Sequence, residues 1–275
     1  MAHTRIEVRC APELSEVLIA FLGELPFDMF EENEQGFDAY APSAAWGDSE
    51  RGALEALRSD FSFAWQETEL PYVNWNEVWE QHFEPVEVDA FCRIRAEFHP
   101  VVAGFAHEFV MAPKMAFGTG HHATTRMVIQ AMRDLDFAGK SVLDYGCGTA
   151  ILAMLAMRLG AHQAWAIDYD PNATENALEN LTRNEVSGVE VLTGDLEVLP
   201  AGQLFDVVLA NINKNVLTGA FAQLAGLCVP GGTVVLSGFL SGDEADMLEL
   251  VRPYGFTLQQ RLQEKDWICL VVAAG

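Results

Sequence analysis

Basic residues are scarce in this chain: 16 Lys and Arg stand against 40 Asp and Glu in 275 residues, for a net charge of -24. Nucleic-acid binding depends on Lys and Arg neutralising phosphates, so direct nucleic-acid binding is not expected. An acidic surface keeps a protein soluble and steers a basic partner toward it through its long-range field. Apolar residues never run uninterrupted for the length of a membrane span, so no membrane association is expected. The N-terminus, MAHTRIEVRCAPELSEV, lacks the basic stretch and apolar core of a signal peptide. Cys-x-x-C pairs are absent too. The five cysteines (Cys10, Cys92, Cys147, Cys228, Cys269) are scattered and odd in number. That excludes a disulfide framework or a cysteine zinc site and suits a reducing cytoplasm. Internal repeats and low-complexity tracts are also missing.

The most informative stretch runs from Ser141 to Asp170. A short apolar strand (Val142, Leu143) ends on Asp144 and enters the turn Gly146-Cys147-Gly148. A helix rich in Ala, Leu and Met follows, then a strand over Ala164–Ile167 that closes on Asp168. Strand, glycine turn, helix, strand and terminal carboxylate form the binding half of a doubly wound α/β domain. The carboxylate of Asp168 is placed to accept both hydroxyls of a ribose. A dinucleotide fingerprint would carry a third glycine where Ile151 stands. A P-loop would need Gly-Lys-Ser/Thr, which is absent. Between Ser141 and Met157 there is no Lys or Arg to compensate a pyrophosphate. The Asp-x-Gly-x-Gly pattern with its downstream carboxylate resembles the nucleoside motif of class I S-adenosylmethionine-dependent methyltransferases, rather than that of a nicotinamide enzyme. Such a cofactor carries a sulfonium and no phosphate.

Organisation falls into three parts: a small α+β domain over 1–63, a linker helix and connecting strand over 64–98, and an α/β domain over 99–275. The first part reads as strand (Arg5–Arg9), helix (Glu13–Leu22), strand (Phe37–Tyr40) and helix (Asp48–Arg58), with an acidic run Glu31-Glu32-Asn33-Glu34. In the linker, Trp75, Trp79 and Phe83 share one helical face, Pro85 stops the helix, and Val86–Phe98 reads as strand. The last part alternates strands with helices, which predicts a doubly wound, mostly parallel, seven-stranded sheet. Its strands lie near Val142, Ala164–Ile167, Val189–Leu192, Phe205–Leu209 and Thr233–Ser237, with a closing hairpin over Phe256–Leu262 and Trp267–Val272. Ligands bind beyond the carboxyl ends of such strands. Asp144, Asp168, Asp195 and Asn211 stand at those ends. Asp168 is expected on the ribose, Asp144 near the methionine ammonium and Asp195 on the adenine amino group.

Upstream, Met115 to Thr125 reads as a glycine- and threonine-rich loop opening a helix, with Thr124 or Thr125 suited to cap it. The adjacent His121 and His122 lack further ligands at metal-site spacing, so no metal is expected. Phe-Gly-Thr-Gly-x-His-x-Thr-Thr at Phe117–Thr125 and Val-Leu-Asp-x-Gly-Cys-Gly at Val142–Gly148 together resemble the ribosomal protein L11 methyltransferase family. Asp-x-Asp-Pro at Asp168, Ala-Asn-Ile at Ala210, Pro-Gly-Gly at Pro230 and Leu-Ser-Gly at Leu236 are similar to it as well, as is the aromatic linker.

That resemblance implies N-methylation, from S-adenosylmethionine, of lysine side chains and often the N-terminal amine of one basic ribosomal protein, L11. It implies that the small N-terminal domain recognises that substrate, and a monomeric, cytoplasmic enzyme is expected. Cofactor contacts would fall on Phe117, Thr125, Asp144, Gly146, Gly148, Asp168 and Asn211, with Asn211 also orienting the attacking amine. The family's usual glycine is Ala150 here, and its usual Asn-Ile-Leu reads Asn211-Ile212-Asn213. His122 is the nearest candidate for a general base. Two other readings remain. One is a same-fold enzyme methylating another protein or a small amine; the other is a noncatalytic cofactor- or ribosome-binding protein.

Overall fold

The computed structural model describes residues 3–23, 25–33, 35–59, 61–70, 84–111 and 118–275. The chain divides into two compact units, Met1–Val78 and Trp79–Gly275. The aromatic face of Trp75, Trp79 and Phe83 lies outside the described residues.

The first unit runs β1 (His3–Cys10), α1 (Pro12–Leu22), β2 (Met29–Asn33), β3 (Gly36–Pro42), α2 (Asp48–Leu57) and β4 (Phe63–Leu70). Its four strands form one antiparallel sheet in the order β2-β3-β1-β4. This is the β-α-β-β-α-β arrangement of ferredoxin-like domains. Alternation places Ile6 and Val8 of β1 in a core with Leu18, Leu22, Phe37 and Leu54. A boundary at 63, as expected, would cut β4 away from its sheet, whereas the first compact unit runs on to Val78. Every residue of that strand pairs with β1, so it belongs to the first sheet.

The second unit opens with β5 (Val86–Val88), β6 (Cys92–Arg95) and β7 (His107–Val110), a small sheet in that order. The single strand expected over Val86–Phe98 is therefore two. A turn through Asp89, whose φ is 49°, folds β6 back antiparallel on β5. Val86, Val88, Cys92, Ile94 and Phe109 join the same apolar cluster as the helix that follows, so the α/β unit begins before His99.

That helix is α3 (Ala123–Arg133). Then come β8 (Ser141–Tyr145), α4 (Ile151–Arg158), β9 (Gln163–Asp168), α5 (Pro171–Arg183), β10 (Val189–Thr193) and β11 (Phe205–Asn211). The chain finishes with α6 (Lys214–Leu227), β12 (Cys228–Leu240), α7 (Glu244–Val251), β13 (Phe256–Glu264) and β14 (Trp267–Ala274). The large sheet has the expected seven strands, ordered β10-β9-β8-β11-β12-β14-β13, with β8 to β12 parallel and the final hairpin antiparallel. Both faces are covered, as a parallel sheet requires. Val207 and Leu209 of β11 pack with α3 and α4, whereas Val208 and Ala210 pack with α6. Strand order reverses between β8 and β11, and a ligand crevice belongs beyond the carboxyl ends of those two strands.

Helix α4 begins after Ala150, which is fully buried in the left-handed conformation with φ at 60°. A side chain there costs about 1–2 kcal/mol relative to glycine. The buried methyl returns about 0.8 kcal/mol. We therefore expect Ala150→Gly to change stability by less than about 1 kcal/mol. Ala150→Val, β-branched and larger, should cost about 2 kcal/mol or more. Urea titration of the two variants checks both values.

Candidate active site

A cavity of about 640 Å³ opens at the carboxyl edge of the large sheet. Strand β8 contributes Tyr145 and the turn glycines Gly146 and Gly148; β9 contributes Asp168 and Tyr169; β10 leads to Gly194 and Asp195. Asn211, Ile212, Asn213 and Val216 line the opposite side, with Gly238, Trp267, His122 and Thr124. Of the residues expected from sequence, Gly146, Gly148, Asp168 and Asn211 meet here, together with Asp195. Phe117 lies outside the described residues. Tyr145, Tyr169, Gly238 and Trp267 were not anticipated. Tyr145 fills the variable position of Asp-x-Gly, and Trp267 arrives from a strand more than a hundred residues downstream of the cofactor turn.

Close backbone packing builds the cavity floor. Gly146 has φ at 73°, and a Cβ there would stand 2.2 Å from Cγ2 of Ile212. The Gly146 and Cys147 N–H groups donate to the Ile167 carbonyl at 2.8 and 3.0 Å, which folds the turn over the end of β9. Asp168 is held from both sides: the Gly148 N–H donates to one oxygen at 3.0 Å and the Asp170 N–H to the other at 3.1 Å. Asn211 donates through Nδ2 to Thr125 Oγ1 at 3.2 Å. Its Oδ1 is buried and has no hydrogen-bond partner among the described residues. Thr125 itself is 1% exposed and acts behind Asn211 rather than on the cavity wall.

Asp144 differs most from expectation. It is not among the cavity-lining residues; it is buried on the α4 side, where it accepts the Ala153 N–H at 3.0 Å. Alternation explains this placement. Asp144 follows Val142 to the face packed against α4, whereas Leu143 and Tyr145 face the other way. Burial, opposed in part by the Ala153 bond, pushes its carboxyl up to about 8. Tyr145, also buried, donates to Asp195 Oδ1 at 2.7 Å, and burial raises its phenol above the ordinary range.

The helix cap also differs: His122, not a threonine, is the N-cap of α3, its ring accepting from the Thr124 N–H at 3.4 Å. The helix begins at Ala123, so Thr124 and Thr125 fall inside its first turn. The His122 ring packs edge-on against Trp267 at 4.7 Å between centroids. Burial lowers the pKa of both His121 and His122. The loop is fastened elsewhere as well. Thr149 Oγ1 donates to the Gly118 carbonyl at 2.8 Å, His121 Nε2 pairs with the Glu84 carbonyl at 2.9 Å, and Arg126 pairs with Glu264. Asn213 caps α6 by accepting the Val216 N–H at 3.0 Å. No cluster of three metal-ligating side chains occurs among the described residues.

The chemistry of this cavity fits S-adenosylmethionine. Among the described residues, Asp168 and Asp195 line it and no Lys or Arg does, which suits a phosphate-free, positively charged ligand. The orphaned Asn211 oxygen is an acceptor waiting for a donor. Fold and cavity together define a class I S-adenosylmethionine-dependent methyltransferase. Residues 38–274 match the family model for ribosomal protein L11 methyltransferase (PrmA). The chain is 38% identical over 261 residues to a Porphyromonas gingivalis protein named ribosomal protein L11 methyltransferase, covering 93% of this chain and 89% of that one. A Chlorobaculum tepidum protein of the same name is 32% identical over 278 residues, 98% and 96% of the two chains. A crystal structure titled ribosomal protein L11 methylase from Lactobacillus delbrueckii subsp. bulgaricus superposes with a TM-score of 0.62 at 22% identity, over 70% of this chain and 99% of that one. The chain belongs to the ribosomal protein L11 methyltransferase (PrmA) family.

The raised Asp144 carboxyl has a consequence for stability. An unfolded Asp titrates near 3.9, so between roughly pH 4 and pH 8 the native state holds a proton the unfolded chain has lost. Its contribution to stability therefore falls as pH rises across that window. Asp144→Asn keeps an acceptor for the Ala153 N–H and removes the titration. Relative to wild type, the variant should gain stability from pH 5 to pH 8 in urea melts; an unchanged difference would refute the assignment.

Proposed function

We propose that this enzyme N-methylates lysine side chains, and the N-terminal amine, of ribosomal protein L11. The observation that carries the reading is the unpartnered, buried Oδ1 of Asn211 at the end of β11. An incoming amine needs an acceptor that fixes its hydrogens and aims its lone pair. Asn211 is suited to this because its Nδ2 is already committed to Thr125. When bound, S-adenosylmethionine supplies a methyl group already activated by its sulfonium. The residues of the chain are then left with alignment and exclusion of water. Asp168, held by two backbone N–H groups, would accept the ribose hydroxyls. Asp195 would accept from the adenine amino group, and Gly146 and Gly148 would let backbone approach the ligand.

A lysine ammonium titrates near 10.4 and must lose a proton before its nitrogen can attack. His122 is a poor base for that task, since burial holds it below the ordinary histidine value, far from the amine. We assign it the capping role, with proton loss to water. The polar Asn213, which could have redirected substrate choice, is engaged as a helix cap. The acidic composition suits a basic substrate. We assign the Met1–Val78 unit to substrate recognition, and read the enzyme as a cytoplasmic monomer without direct nucleic-acid contacts. No helix among the described residues is long and apolar enough to cross a membrane.

Transfer of labelled methyl to purified L11, followed by mass spectrometry, tests the assignment. Methyl groups on lysine nitrogens are expected, lost in Asp168→Ala and slowed about a hundredfold in Asn211→Ala through misalignment. Cofactor binding without label on L11 would overturn the substrate. The rate should climb with pH from 7 to about 9 as the substrate amine deprotonates. His122→Asn should keep both the rate and that profile, whereas a large loss of rate across the whole range would make His122 the base.

A further inference from the structure

The hydroxyl of Tyr145 makes one bond, to a carboxylate two strands away. Tyr145 ends β8, and Asp195 follows β10, with β9 between them. Neighbouring strands lie about 4.8 Å apart, so a side chain from β8 must be long to reach the β10 loop. A tyrosine manages it: Tyr145 is 7% exposed, packs in the apolar cluster with Leu143 and Ile167, and brings its oxygen within 2.7 Å of Asp195 Oδ1. The same Oδ1 accepts the Leu196 N–H at 2.7 Å. Two donors on one oxygen fix the plane of the carboxylate. Asp195 Oδ2 has no hydrogen bond among the described residues, and Asp195 lines the cavity.

From this geometry we propose that Tyr145 is a positioning residue for recognition of the cofactor's base: it locks Asp195 so that its second oxygen selects a ring bearing an exocyclic amino group. The inference rests on the reading of the cavity as a cofactor site and deepens it. An adenine amino group donates to that oxygen. A hypoxanthine carbonyl presents lone pairs instead and is repelled. Without the Tyr145 hydroxyl, Asp195 can rotate about its side-chain torsions, so its preference between the two bases weakens. Burial raises the Tyr145 phenol above its ordinary range, which favours the protonated form that donates.

Calorimetry with full-length protein measures this without turnover, using S-adenosylhomocysteine and its inosine analogue as probes. Wild type should prefer the adenine form by about tenfold or more, as a site left with an unsatisfied polar group discriminates strongly. Tyr145→Phe should weaken S-adenosylhomocysteine about five- to tenfold and leave the inosine analogue nearly unchanged, so the ratio collapses. In an Asp195→Asn background, Tyr145→Phe should have no further effect, because the coupling passes through that carboxylate. Asp195 is exposed, so Asp195→Asn gives a folded leg of the cycle even if Tyr145→Phe proves unstable, and it must itself lose the preference. Equal weakening of both probes by Tyr145→Phe, or additive effects in the double variant, would overturn the positioning role. Wild type that binds neither probe would overturn the cofactor site itself, a different result.

Discussion

Backbone contact at Ile212 is the constraint on which the site depends. Two glycines, one in the turn after β8 and one in β12, press against this residue. A Cβ at Gly146 would meet its side chain at 2.2 Å, and one at Gly238 would meet its carbonyl oxygen at 2.0 Å. Ile212 in turn donates its N–H to the Ser237 carbonyl at 3.1 Å. The turn after β8, the end of β11 and the end of β12 are thereby drawn into one knot at the switch point of the sheet. Everything that faces the cavity is placed relative to that knot. Asp168 is reached through Gly148, and Asn211 immediately precedes Ile212. A side chain at either glycine would collide with Ile212 and force these segments apart.

Electrostatics at the site divide between two kinds of carboxylate. Asp168 and Asp195 sit on the cavity wall, Asp168 accepting two backbone N–H groups and Asp195 one. Asp144 is enclosed beneath α4 and made a weak acid by burial. Its work is structural: it accepts from the third residue of a helix whose first turn has unpaired N–H groups. Among the described residues the lining holds no Lys or Arg, which matters equally, because a fixed cation would oppose a sulfonium.

The glycine- and histidine-rich loop before α3 shows how a polar motif can serve packing as well as chemistry. His121 bonds back to the Glu84 carbonyl, His122 caps the helix and packs on Trp267, and Thr149 ties the loop to the cofactor turn. The pair of histidines, which side by side invite a metal or general-base reading, is consumed in holding the loop against the sheet. Asn213 follows the same logic on the opposite wall. Its side chain caps the start of α6.

Much was legible in the chain alone. Periodicity and punctuation located all seven strands of the large sheet, because buried parallel strands are short apolar runs bounded by Gly, Asp and Asn. The Gly146 turn and Asp168 were legible for the same reason: a backbone turn against a ligand demands glycine at fixed spacing, and that demand is local. Strand β4 and the β5–β6 hairpin were not, since Phe63–Leu70 and Val86–Phe98 declare their partners only through pairing with residues far along the chain. Asp144 looked like a ligand because strand ends carry ligands; only the pleat, set by packing on both faces, decided that it points under α4. Tyr145 stood in a position that the motif leaves free, and its partner is fifty residues away. The sequence by itself determined the fold class, the cofactor turn and the family, since these rest on local spacing. Tertiary structure alone decided which polar groups face the cavity and which support it, because that depends on strand order, face and distance.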